Sequence, residues 1–168
     1  MREILHSCSR SVDALNSFVA HAVRWLAVIM VIITFAVVVL RYVFNIGAIG
    51  MQESVMYMHG LLFLLGIPYS LLMGSHVRVD LLYSRLSATQ QGRIDIAGHI
   101  LFLLPVSVFI FVTSLPYVSA SWRVLEGSAE VGGIPGVFLL KTLIPVMAAL
   151  LFLQGVSQIF KLLLSSEE

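Results

Sequence analysis

Residues 41–80 read RYVFNIGAIGMQESVMYMHGLLFLLGIPYSLLMGSHVRVD. Within them, Ser54 to Met73 are 20 consecutive residues without Asp, Glu, Lys or Arg. Coiled into a helix at about 1.5 Å per residue, that segment is about 30 Å long, the thickness of the hydrocarbon core of a bilayer. A water-soluble domain has no use for it, so the chain is membrane-embedded. Polar residues bound the span on both sides. Before it lies the hairpin Arg41 to Glu53, and after it the turn His76-Val-Arg-Val-Asp80.

The rest of the chain has the same character. Of its 168 residues 59% are hydrophobic and only 11% charged, with mean hydropathy +0.99, whereas soluble domains are about 25% charged. Four spans emerge, at about 25–40, 54–73, 94–117 and 137–164. Helices satisfy their own backbone in lipid, which predicts an all-α integral membrane protein forming one membrane domain over 1–168. A net charge of +1 gives no basic surface for nucleic acid. The lone Cys8 excludes an internal disulfide and any multi-cysteine metal site. Residues 1–24 lack a small-residue cleavage pattern and read as a retained segment, not a signal peptide.

Basic residues set the orientation. Arg2, Arg10, Arg24, Arg78, Arg85, Arg93 and Lys161 fall on one side, and Arg41, Arg123 and Lys141 on the other, which predicts both termini in the cytoplasm. The opposite face then carries the 41–53 hairpin and a 119–136 loop with Glu126, Glu130 and the turn Gly132-Gly-Ile-Pro-Gly136. Two segments read as interfacial. Leu5, Cys8, Val12, Leu15, Val19 and Ala22 recur at helical spacing in the N-terminal segment, which suits an amphipathic helix on the inner leaflet leading into span one. Val79, Leu82, Tyr83 and Leu86 predict a second interfacial helix over 77–87. Ser87-Ala-Thr-Gln90 has capping-box spacing and opens the helix that continues into span three, where Pro105 is expected to kink it.

All nine acidic residues lie outside the spans or at their ends, so no ionisable site stands at the midplane. A coupled carrier normally has one, which argues against transport by this chain alone. His59 is an intramembrane imidazole, whose readings are a hydrogen bond to a neighbouring helix, haem or metal ligation, or a proton relay. His99 is the only other span histidine, and the two differ by about 14 Å in depth, too far for one haem. Gly66, Ser70 and Gly74 recur every four residues, a face that lets another helix approach closely, within the chain or from a larger subunit. Gln154, Ser157, Gln158 and Lys161 form a polar stripe suited to interhelical hydrogen bonds or headgroups. His76 and Asp80, with Arg78 between them, are either a solvated turn or a polar lock. Arg41 reads as a headgroup anchor or as the ion-pair partner of Glu53.

These residues resemble the small membrane subunit, DctQ-like, of tripartite ATP-independent periplasmic (TRAP) transporters. The resemblance rests on Arg41-Tyr-Val-Phe-Asn45, Glu53, Gly66, Gly74 and Gly74-Ser-His-Val-Arg-Val-Asp80, and extends to the four-span layout. Members often carry Trp and two adjacent acids before span two, where this chain reads Met51-Gln-Glu53. The resemblance implies a multi-pass protein of the bacterial inner membrane and no enzyme. It implies a large permease subunit packed on Gly66, Ser70 and Gly74, with His76, Arg78 and Asp80 in a cytoplasmic polar turn. It also implies a periplasmic substrate-binding protein facing Arg41, Asn45, Glu53, Glu126 and Glu130. Phospholipids surround the chain, no cofactor is expected, and sodium would bind the large subunit, which takes up an organic acid. The alternative is a membrane anchor or haem-bearing subunit of a redox complex, built on His59 and His99.

Overall fold

The computed structural model describes residues 2–74 and 86–165. Helix α1, Arg2–Val23, runs through Arg24 into α2, Trp25–Tyr42. In α2 Val, Ile and Thr crowd together, residues that lose side-chain freedom in a helix. Lipid overrides that preference, since a helix alone pairs every backbone group within one strand of chain. No residue of α2 is buried within the protein. Its apolar side chains, such as Val31 and Phe35, both 70% exposed, therefore face the bilayer.

Helix α3 spans Ile49–Leu72 and starts five residues before the charge-free segment. It stops at Gly74, whose φ of +63° is the left-handed conformation that ends helices and that glycine adopts without strain. Residues 77–85 of the expected interfacial helix, and His76, Arg78 and Asp80, lie outside the described residues, while Ser87 is extended and caps the next helix. Helix α4, Ala88–Gly98, opens on the capping box read from the sequence: the Gln90 N–H donates to Ser87 Oγ at 3.4 Å and the Ser87 N–H to Gln90 Oε1 at 3.0 Å. A π-helical turn, His99–Leu103, joins it to α5, Leu104–Arg123. Pro105 explains that turn. It has no N–H to offer one turn back, and the Leu104 N–H bonds His99 O, five residues earlier. Helix α6 is Val137–Ser165.

Four helical stretches, His6–Tyr42, Ile49–Leu72, Gln90–Arg123 and Val137–Leu164, are long and apolar enough to cross a membrane. Helix α6 is the central post, with α5, α3 and α1 all packed on it, while α2 leans on α3. The α5–α6 contact is the most extensive. Ser107, Ser114 and Ser121 stand seven apart along α5, all buried, which lets the two backbones approach closely. Glycines do the same elsewhere: a Cβ on Gly60 would meet Leu140 of α6 at 2.7 Å, and one on Gly155 would overlap Leu103 of the π turn. The buried apolar core is small, with Ala20, Val118, Met147, Ala148 and Ile159 among the described residues. Polar side chains, Gln154 and Asn16 first, are the largest fully buried groups.

Candidate interaction surfaces

On the side of the 124–136 loop, Glu53 acts as a latch. Ser128 Oγ donates to Glu53 Oε1, and the Ile134 N–H donates to Oε2 at 2.6 Å. The loop is folded to fit: the Ser128 N–H donates to Ile134 O at 3.1 Å and the Gly133 N–H to Glu130 O at 3.1 Å. Gly132 has φ +82°, and any Cβ on Gly133 would strike Ser128 and Glu53, so two glycines are required at this turn. Beside it Lys141 Nζ bonds Glu126 Oε2 at 2.5 Å and lies 4.2 Å from the centre of the Tyr117 ring. The Lys141 ammonium holds the Glu126 carboxyl below the usual carboxylate range. Trp122 Nε1–H donates to Thr142 Oγ1 at 2.9 Å, with its ring edge-on to Phe138. Glu53 and Glu126 are therefore committed to the loop's own structure, whereas Glu130 is exposed.

Across the hairpin, Arg41 is exposed, and among the described residues it forms no ion pair with Glu53. Asn45 takes φ +56°, a turn conformation asparagine tolerates, and the Ile46 N–H donates to Leu40 O at 2.9 Å to close the hairpin. Arg41, Tyr42, Asn45 and Gln52 line an open cleft of about 540 Å³ there.

At the other end of the molecule, α1 is fastened to α6 by a polar seam. Ser9, Asp13, Asn16 and Ala20, spaced by three and four, share one face, and Ser9, Asn16 and Ala20 are buried. Asn16 Nδ2–H donates to Gln154 Oε1 at 2.7 Å. Asp13 accepts three donors: Gln154 Nε2 at 3.0 Å, Ser157 Oγ at 3.2 Å and Lys161 Nζ at 2.6 Å. Ser157 has one proton, given to the carboxylate, so Ser9 donates to Ser157 across 2.7 Å. Gln158 Nε2 reaches the Leu71 and Leu72 carbonyls at the end of α3, where the Leu71 carbonyl also accepts the Gly74 N–H at 3.1 Å.

The Ser9, Asp13 and Asn16 face of α1 meets α6, while Arg10, Ser11 and His21, and Cys8, Leu15 and Ala22 from the apolar stripe, are exposed. Sequence reasoning found the α6 stripe and missed its partner. The matching spacing of 9, 13 and 16 with 154, 157 and 161 was the available signal.

Gly66 of α3 faces the α1–α2 junction, and no atom lies within 4 Å of the position a Cβ would take. Ser70, one turn on, is half-buried, and Gly74 stops the helix. His59 is exposed and stacks on Phe63, ring centres 6.2 Å apart. His99 Nδ1–H donates to Asp95 O at 2.6 Å within its own helix. Among the described residues no group of three His, Cys, Asp or Glu side chains is placed to hold a metal ion.

The arrangement is that of a multi-pass α-helical membrane protein whose visible polar networks tie helix to helix and loop to helix. Residues 30–165 match the family described as tripartite ATP-independent periplasmic transporters, DctQ component. The chain belongs to that family and is a small subunit of a TRAP transporter. No curated protein and no solved structure shows significant similarity to it.

Proposed function

We propose that this chain is a fixed, non-catalytic scaffold subunit. It braces the large elevator-type permease in the bacterial inner membrane and helps dock the periplasmic binding protein during ion-gradient-driven uptake of an organic acid. Both termini lie in the cytoplasm, the chain carries no cofactor, and the coupling sodium binds the large subunit. The observation that carries this reading is where the charges go: Glu53, Glu126, Lys141, Asp13 and Lys161 are all consumed in holding helices and loop together. A rigid wall results, faced with apolar side chains. The large subunit packs on α3 at Ser70 and towards Gly74, while Gly66 on the same helix is turned to the α1–α2 junction. The binding protein meets the outer ends, where Arg41, Asn45 and Glu130 are exposed, while Glu53 and Glu126 shape the loop they sit under. His76, Arg78 and Asp80, which follow α3 in the sequence, lie on the cytoplasmic side.

The test uses cells that need all three components for uptake. Ser70→Leu should reduce recovery of the large subunit with the tagged chain, and Glu130→Lys should lower uptake several-fold while leaving that recovery unchanged. Transport by the purified chain alone in liposomes, or full uptake and assembly with both substitutions, would overturn the proposal.

A further inference from the structure

A cavity of about 220 Å³ opens between the α1–α2 junction and α3. Its walls come from Ala20, Val23, Leu62 and Gly66, and its polar groups are His21, Arg24 and Tyr69. Ala20 is buried and the other apolar residues are half-buried, whereas His21 and Arg24 are exposed, so an apolar floor meets a cationic rim. Among the described residues no acidic side chain lines it.

Depth decides what reaches such a cavity. Arg24 precedes Arg41 by 17 positions, about 26 Å of helix, and Tyr69 follows Ile49 by 20, about 30 Å. Arg24 and Tyr69 therefore both stand at the hydrocarbon boundary on the side of the N-terminus. The Arg24 guanidinium lies 5.6 Å from the centre of the Trp25 ring, an indole placed at headgroup level. His21 Nδ1–H donates to Ser17 O at 2.7 Å, and its ring stands edge-on to Tyr69, centroids 5.9 Å apart, which fixes the rim. The missing side chain at Gly66 leaves the floor open.

We propose that this cavity binds an anionic glycerophospholipid of the adjoining leaflet. Its headgroup phosphate is held by Arg24 and the Tyr69 hydroxyl, and the start of one acyl chain lies against Val23 and Leu62. Arginine offers paired N–H donors to phosphate oxygens, and a boundary position supplies lipid phosphate at high local concentration. The site depends on the fold alone and stands whether or not the large subunit packs beside it.

The full chain, extracted from vesicles of equal phosphatidylglycerol and phosphatidylcholine into mild detergent, would be weighed by native mass spectrometry. One phosphatidylglycerol per chain should survive in preference to phosphatidylcholine. Arg24→Gln should lower its occupancy about five-fold, the factor of one basic contact near an anionic surface. Gly66→Leu fills the cavity where no atom stands in the way and leaves the charge unchanged, so it should remove the lipid without unseating α1. Arg93→Gln, an exposed arginine on α4, should have no effect. Equal retention in Arg24→Gln and wild type, equal loss in Arg93→Gln, or retention in Gly66→Leu would overturn the site. Displacement of the lipid by millimolar inorganic phosphate would assign the site to free phosphate instead, and the lipid proposal would fall.

Discussion

Removing Gln154 should unfasten α1 while leaving the rest of the bundle in place. The amide is fully buried, accepts from Asn16 and donates to Asp13. In Gln154→Leu the Asn16 Nδ2 donor loses its partner in a buried position, at a cost of about 1–3 kcal/mol. Asp13 keeps Ser157 and Lys161 and loses one donor of three, about 1 kcal/mol more. A total of about 2–4 kcal/mol corresponds to roughly 30- to 700-fold more frequent opening of α1. Ser9, only 3% exposed on the same seam, reports it. In a Cys8→Ser, Ser9→Cys background, maleimide labelling in membrane vesicles should accelerate by that factor when Gln154→Leu is added. Because the penalty comes from an orphaned partner, Asn16→Leu with Gln154→Leu should recover most of the protection. Labelling at the background rate in the single variant, or no recovery in the pair, would refute the reasoning.

Gly155→Leu should lower the melting temperature of the detergent-solubilised chain by the equivalent of about 1–3 kcal/mol, because its side chain overfills the contact with Leu103 and Leu104; tryptophan fluorescence follows the transition. Gly155→Ala needs only a swing of the Leu103 tip and should melt near wild type. The Glu126 carboxyl is held low by Lys141, so the loop stability it adds is complete above the unfolded carboxylate range of about 4.3 and is lost as pH falls through the lower folded value. Hydrogen exchange of the Phe138 amide, which donates to Glu126 O, should stay flat from neutral pH to about 5 after correction for intrinsic rates, then rise, and Glu126→Gln should flatten the profile. Glu53→Gln should speed exchange of the Ile134 amide relative to Ser128, whose N–H is taken by a backbone carbonyl; an unchanged Ile134 rate would contradict the latch.

The four crossings were legible because bilayer thickness demands uncharged runs, and the 54–73 run meets that demand without reference to any other residue. The Ser87 capping box was legible for the same local reason. What escaped was pairing at long separation. Glu53 read as an exposed acid because its partner Ile134 is 81 positions away, and no local spacing encodes that bond. The two faces of α1 were visible, but which one meets protein was not, since lipid outside reverses the rule that applies in water. Gly74 fell on a four-residue repeat with Gly66, yet its φ of +63° gives it a helix-stopping role that periodicity does not distinguish from packing. Gly60 and Gly155 carry the closest helix approaches, and nothing near them in sequence sets them apart from other span glycines.

The polar seam also orders events during synthesis. Asp13 and Asn16 are made early, and the partners that satisfy them, Gln154, Ser157 and Lys161, come 138 to 148 residues later. Until α6 has entered the bilayer, α1 has a carboxylate and an amide with nowhere dry to go, and it must wait at the wet edge of the membrane. The bundle therefore closes like a belt, its first helix buckled by its last, and a nascent chain stopped short of Gln154 keeps exposed the groups by which quality control would recognise it as unfinished.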